Sequence, residues 1–149
     1  EMLSPDGPTR DIASWGKGRV SLENDLKRVA EAHGRTYSPD PNLEAGFFYR
    51  ADHFAFARAG VPAITVGAGL DRIDGGDESG KALRDAYFAR CYHQPCDAWT
   101  ASWDARGQAQ DVALLYALGR EIADSDAWPH WLNGSEFKAV RERSETERK

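Results

Sequence analysis

Basic charge is in deficit in this 149-residue chain: 19 lysines and arginines stand against 24 acids, a net charge of −5. A nucleic-acid surface neutralises phosphates with clustered Lys and Arg, and no basic stripe occurs here. Long apolar runs are also missing, so no segment reads as a membrane-spanning helix, and no signal-peptide pattern is present. The chain opens at Glu1 rather than at an initiator methionine, and the expectation is of an amino terminus lying upstream. Only two cysteines occur, Cys91 and Cys96. Their spacing matches no standard structural zinc pattern, which leaves a disulfide, a pair of thiols or soft metal ligands, and leaves the compartment open. Gly67-Ala68-Gly69 lacks the Lys and Ser/Thr of a nucleotide-binding loop. Asp71, Asp74, Asp77 and Glu78 lack the alternation of an EF-hand and read instead as a mobile, solvated loop on a cleft rim.

What is present suffices for one packed domain: 41% of residues are hydrophobic and 11% aromatic. Residues 1–140 read as that domain and 141–149 as a charged, solvated tail. Pro5-Asp6-Gly7 predicts a turn between two short strands. Ser21 precedes an amphipathic helix over 22–32, with Leu22, Leu26, Val29 and Ala30 on one face and His33-Gly34 at its end. A short strand follows at 35–38, then the Pro39-Asp40-Pro41-Asn42 turn. Asp52 reads as the N-cap of a short helix over 54–59, which Gly60-Val61-Pro62 ends. The β-branched run 63–67 predicts a buried strand whose carboxyl end places Gly67-Ala68-Gly69 at a cleft. A helix over 106–122 presents Val112, Leu115, Tyr116 and Gly119 on one face, with Asp111 off it. Trp128 and Trp131 suggest buried anchors or a ligand platform.

Two stretches carry the chemistry. Arg90-Cys91-Tyr92-His93-Gln94-Pro95-Cys96-Asp97 sets an imidazole, the commonest zinc ligand, between a tyrosine and a proline-stiffened loop, with Asp97 near enough to hold the loop or the ring. Upstream, Arg50-Ala51-Asp52-His53 leads into the short helix and Gly60-Val61-Pro62-Ala63. Together, in this order, they resemble the zinc-dependent exopeptidases that include leucyl aminopeptidases, glutamate carboxypeptidase and glutaminyl cyclase. Such proteins carry Ser-Asp-His, then Gly-(Val/Ile)-Pro-Ala, then Tyr-His-(Thr/Gln)-Pro-x-Asp. The likeness runs from the first residue to Trp128-Pro129 and beyond.

The resemblance implies an α/β fold of three layers, helices on both faces of a mostly parallel, mixed sheet, of which this chain holds part. It implies two zinc ions sharing a water, and a peptide substrate. His93 matches the family's final metal ligand, and Glu1 stands where the family has an aspartate ligand. Tyr92 is placed to donate its phenolic O–H to an oxyanion. Arg50, Asp52 and His53 are expected to line the cleft, Asp52 as an orienting residue, although Ala51 replaces the usual serine. Missing altogether are His-x-Asp and a Glu-Glu pair. The expectation is therefore the carboxy-terminal portion of a zinc exopeptidase, most simply an aminopeptidase, inactive alone. Its missing amino-terminal half, or a second copy in a homodimer, would cover an exposed sheet edge. The alternatives are a non-catalytic interaction domain on the same scaffold and a glutaminyl-cyclase-like acyltransferase, against which Tyr92 counts because that group favours Trp-His.

Overall fold

The structure, a computed structural model, describes residues 3–40 and 43–147. The expected ligand Glu1 lies outside them, as do Pro41 and Asn42 of the expected turn. Strand β1, Asp11–Trp15, occupies the centre of a three-stranded mixed sheet of order β2-β1-β3. Helix α1, Leu22–Ala32, crosses from β1 to β2, Thr36–Ser38, which pairs parallel to β1 from Asp11↔Thr36 to Ala13↔Ser38. That is the crossover a parallel pair requires. Strand β3, Thr65–Ala68, lies on the other side of β1 and runs antiparallel, with Ile12↔Ala68 and Trp15↔Thr65. The α/β class is thus observed.

One change follows from the direction of β3. Its carboxyl end sits beside the amino end of β1, where the Leu70 and Asp71 amides donate to the Asp11 carboxylate at 3.3 and 2.9 Å. Residues 67–69 therefore do not share the carboxyl end of β1. The rule that ligands bind beyond strand carboxyl ends assumes parallel strands.

The main core joins Ile12 and Val66 to Leu26, Val29 and Ala30 of α1 and to Leu114 and Leu118 of α4, Ala105–Ala123. Each fully buried aliphatic side chain here contributes about 1.5–3 kcal/mol. Helix α4 starts where its sequence suggests, Asp104 accepting from the Arg106 amide at 3.1 Å. Its inward face differs from the expected one: Gly107, Asp111, Leu114 and Leu118 are buried, whereas Val112 and Tyr116 are 53% and 66% exposed. The reason is an ion pair. Asp111 accepts from Arg35 at 2.8 Å and from the Ser4 amide at 2.9 Å, while Arg35 donates to Thr9 Oγ1 at 2.7 Å and the Asp11 carbonyl at 2.5 Å. Both charged side chains are sealed, 2% and 0% exposed.

A second cluster packs Val20, Leu22, Phe48, Ala57, Trp131 and Phe137. The expectation of buried anchors holds for Trp131, which is buried and donates Nε1–H to the Gly60 carbonyl at 3.0 Å, and not for Trp128, which is 82% exposed. Neither expected side-chain cap forms. Ser21 is already helical in φ and ψ and accepts instead from the His130 amide at 3.0 Å, while Glu23 reaches back to the Gly18 and Arg19 amides. Asp52 is helical too and makes no capping bond to α2, His53–Arg58.

The last three residues of the expected mobile loop at 71–78 are helical. Helix α3, Gly76–Arg90, begins within it after Gly75, with Gly75 and Gly76 both at positive φ, and Arg72 anchors the approach by donating to the Asp6 carbonyl at 2.8 Å. A Cβ at Gly80 would meet the Leu70 carbonyl, so this glycine lets α3 lie against the β3 exit. The charged end is also helical. Helix α5, Lys138–Glu147, is supported by Lys138 to Glu142 and Arg141 to Glu145 pairs at 2.5 and 2.8 Å.

Candidate active site

At the carboxyl end of β1, Trp15 starts a run of aromatic rings that ends at His93. Trp15 meets Phe47 at 5.6 Å between centroids, Phe47 meets Phe88 of α3 at 5.8 Å, and Phe88 meets Tyr92 at 4.7 Å. Tyr92 then stacks on His93, centroids 3.9 Å apart and planes 20° apart. Phe47 belongs to a short 3₁₀ turn, Phe47–Arg50, so the same run leads to Arg50, whose guanidinium carbon lies 5.6 Å from the Phe47 centroid. Arg50, Tyr92 and His93 are therefore connected through two phenylalanines. Next to Phe47 a hollow of about 110 Å³ opens, lined by Gly16, Arg19, Asp40, Phe48 and Tyr49 among others. Arg19 crosses the faces of Phe48 and Tyr49 and donates to the Tyr49 hydroxyl at 2.6 Å.

The loop carrying His93 is closed on itself. Cys91 and Cys96 form a disulfide, which settles the three readings of the pair. Inside it, the Gln94 amide donates to the Cys91 carbonyl and the Asp97 amide to the Gln94 carbonyl, both at 2.9 Å. Outside it, Asp97 accepts from the Tyr87 hydroxyl at 2.9 Å. Asp97 thus holds the loop against α3. Burial, and then this bond to Asp97, push the Tyr87 phenol up to about 12. Among the described residues His93 is the one non-glycine at positive φ, 58°, and its side chain is exposed. A non-glycine residue in this region is uncommon and needs surrounding structure to keep it there.

His53 occupies a different setting. It is the first residue of α2, shares a hydrogen bond through Nδ1 with Thr65 Oγ1 at the start of β3, and meets the Phe48 ring edge-on at 4.5 Å. Its Nε2 is buried and has no partner. Burial lowers its pKa, with Asp52 opposing the shift. The ring ties α2 to β3 as a neutral group, while Arg50 and Asp52, which precede it in the chain, are exposed.

The donors do not by themselves make a metal site. Among the described residues no group of three or more His, Cys, Asp or Glu side chains could hold an ion. Both cysteines are bridged and Asp97 is engaged by Tyr87, so His93 stands as a single donor. Sequence reasoning passed over Phe47, Tyr87 and Phe88, the residues that connect and hold the site. The available signal was the clustering of aromatics Tyr87, Phe88 and Tyr92 at the end of α3 and in the turn after it.

A sequence model of peptidase family M28 matches residues 1–117, a span that contains both histidine stretches and the first two thirds of α4. No curated protein and no solved structure matches the chain.

Proposed function

The chain belongs to peptidase family M28, a family of metallopeptidases, and on that premise we propose that it presents His93 to the zinc site of an exopeptidase acting on free amino termini. The observation that carries the reading is the His93 loop itself. It is an exposed imidazole in a backbone conformation that costs energy, locked by a disulfide and a ring stack and joined through Phe88 and Phe47 to Trp15 on the central strand.

Tyr92 suits an oxyanion donor because its hydroxyl makes no hydrogen bond to another described residue and stands beside the ligand loop. Arg50 and Asp52 are exposed and suited to a peptide's polar ends, and His53, which follows them, is the support that ties α2 to β3. Two zinc ions are expected in the assembled enzyme, where they supply the activated water. The residues described here do not fit zinc alone, so no general base is assigned among them. With neither His-x-Asp nor Glu-Glu in the 149 residues, the remaining ligands come from polypeptide outside them. The chain is then the carboxy-terminal portion of a three-layer catalytic domain and does not turn over alone. A non-catalytic interaction domain is the second reading, favoured by the absence of a metal cluster among the described residues.

The test is zinc calorimetry and an aminoacyl-anilide assay on the chain, with and without a polypeptide supplying His-x-Asp and Glu-Glu, and with His93→Ala as control. The expected result is weak zinc binding and no turnover alone, and tight binding with turnover in the complemented form, abolished by His93→Ala. Two tightly bound zinc ions with turnover by the chain alone would overturn the fragment reading. A complemented form that binds zinc equally well without His93 would overturn its role as ligand.

A further inference from the structure

We infer that Cys91 and Cys96 are positioning residues: their disulfide holds His93 in its left-handed conformation, and reduction releases the ring from the place where it serves the site. The inference rests on the reading of His93 as a ligand for its meaning, but not for its geometry. Three observations carry it.

The bridge spans Cys91 to Cys96, with a Cα–Cα distance of 5.2 Å, and encloses Tyr92, His93, Gln94 and Pro95. His93, the one non-glycine residue at positive φ among those described, therefore lies inside the one disulfide ring. Left-handed backbone is sterically unfavourable for an L-residue relative to the right-handed form, and such positions persist when the surroundings over-determine them. The other restraints on the loop are non-covalent: the Gln94 amide donates to the Cys91 carbonyl across Tyr92 and His93, and at the edges Tyr87 holds Asp97 and Phe88 holds Tyr92. The only covalent restraint across the turn is the bridge.

Access is the third observation. Cys96 is exposed and Cys91 half-buried, so a small dithiol reaches the Cys96 sulfur first. Its thiolate attacks that sulfur, the S–S bond breaks, and Cys91 leaves as a thiolate. The reagent's second thiolate then attacks the mixed disulfide, releasing Cys96 as a thiolate and leaving the reagent as a cyclic disulfide. Two electrons pass from the dithiol to the pair. The freed turn relaxes toward negative φ at His93, and the stack of His93 on Tyr92 loosens.

The coupling is reciprocal, which makes it measurable without activity. Glycine takes positive φ without the steric penalty, so replacing His93 by glycine favours the closed ring. The experiment equilibrates the full chain, His93→Gly and His93→Ala with a dithiol buffer, and reads the fraction bridged. In the same samples, NMR follows the His93 amide coupling constant and the exchange of the Gln94 and Asp97 amides. The expected result is that His93→Gly is roughly threefold to tenfold harder to reduce than the parent, whereas His93→Ala, which loses the ring but keeps the backbone penalty, is not. Reduction of the parent moves the coupling constant off its positive-φ value and speeds exchange at Gln94 and Asp97 at least tenfold. Leu26 and Leu114 amides keep their protection, so a general loss of fold is distinguished. Equal reduction equilibria for glycine and alanine variants, or a His93 φ unchanged by reduction, would overturn the inference. Zinc-induced shifts of the His93 ring, read separately in the form complemented with a polypeptide supplying His-x-Asp and Glu-Glu, decide its role as ligand: their absence there ends the ligand reading and leaves the lock standing.

Discussion

Two polar regions of this molecule are built on opposite terms. Around Arg35 and Asp111 the charges are sealed and tied to the Ser4, Thr9 and Asp11 segments. Around His93 the imidazole is exposed and is held by its ring stack, the bridge and the neighbouring turns. A sealed charge is expensive to bring in from water and tolerable only when its partners are in place. The first arrangement therefore specifies how α1, β1 and α4 come together, and the second leaves donor capacity for something outside the chain. Burial and satisfaction separate scaffold from site more clearly than residue type does.

The comparison breaks most easily at Asp111. Asp111→Ala leaves Arg35 buried without its carboxylate and is expected to cost about 3–5 kcal/mol, seen as a fall in the urea midpoint with an unchanged slope. The paired change Arg35→Met with Asp111→Leu is expected to recover most of that loss. Failure to recover would mean that the charge itself, not its completed pairing, holds these segments. A smaller effect belongs to Tyr87→Phe, which removes the bond to Asp97 and is expected to cost about 0.5–1.5 kcal/mol. Because the folded phenol titrates near 12, above its ordinary value, its contribution is complete below about pH 10 and is lost as pH rises toward 12. Alkaline unfolding of the parent and of Tyr87→Phe, followed by circular dichroism, checks this.

His53 lies between the two extremes. Its pKa is lowered in the fold, so between that value and about 6.5 the unfolded chain binds more protons and stability rises with pH. Stability from this group is present above about 6.5 and lost as pH falls through the folded value. His53→Gln is expected to flatten that part of the pH–stability curve, and an unchanged slope would assign the acid loss to carboxylates. Smallest of all is His93→Ala, expected within about 0.5 kcal/mol of the parent in urea unfolding. A loss beyond about 1 kcal/mol would move His93 into the scaffold and erase the contrast.

Much of the scaffold was legible because it follows local rules. Helix α1 announced itself by Leu22, Leu26, Val29 and Ala30, and the β-branched run at 64–66 by its composition. Helix α4 was found but turned to the wrong face. Its apolar residues Val112, Leu115 and Tyr116 outline a plausible inner stripe, and only a partner 76 positions away explains why Asp111 points in. Helix α3 was missed from its start because Gly75, Gly76 and three acids look like a loop, and what lets it pack is a backbone approach at Gly80 that periodicity does not record. Ser21 and Asp52 have the chemistry of caps but adopt helical backbone themselves. At the site, His93 and its tyrosine were legible as a motif. The bridge, the left-handed turn and the Trp15-to-Tyr92 aromatic run depend on distances that no spacing rule supplies.

The sealed ion pair also decides where this polypeptide can be shortened. Ser4 donates its backbone N–H to Asp111, and Thr9 accepts from Arg35. A truncation beginning after Thr9 keeps every strand and helix named above yet strips one donor from a carboxylate with no solvent to replace it and one acceptor from the guanidinium beside it. The seven residues from Ser4 to Arg10 form no regular strand or helix, and they behave as a plug: an expression boundary drawn by secondary structure alone would pull it out.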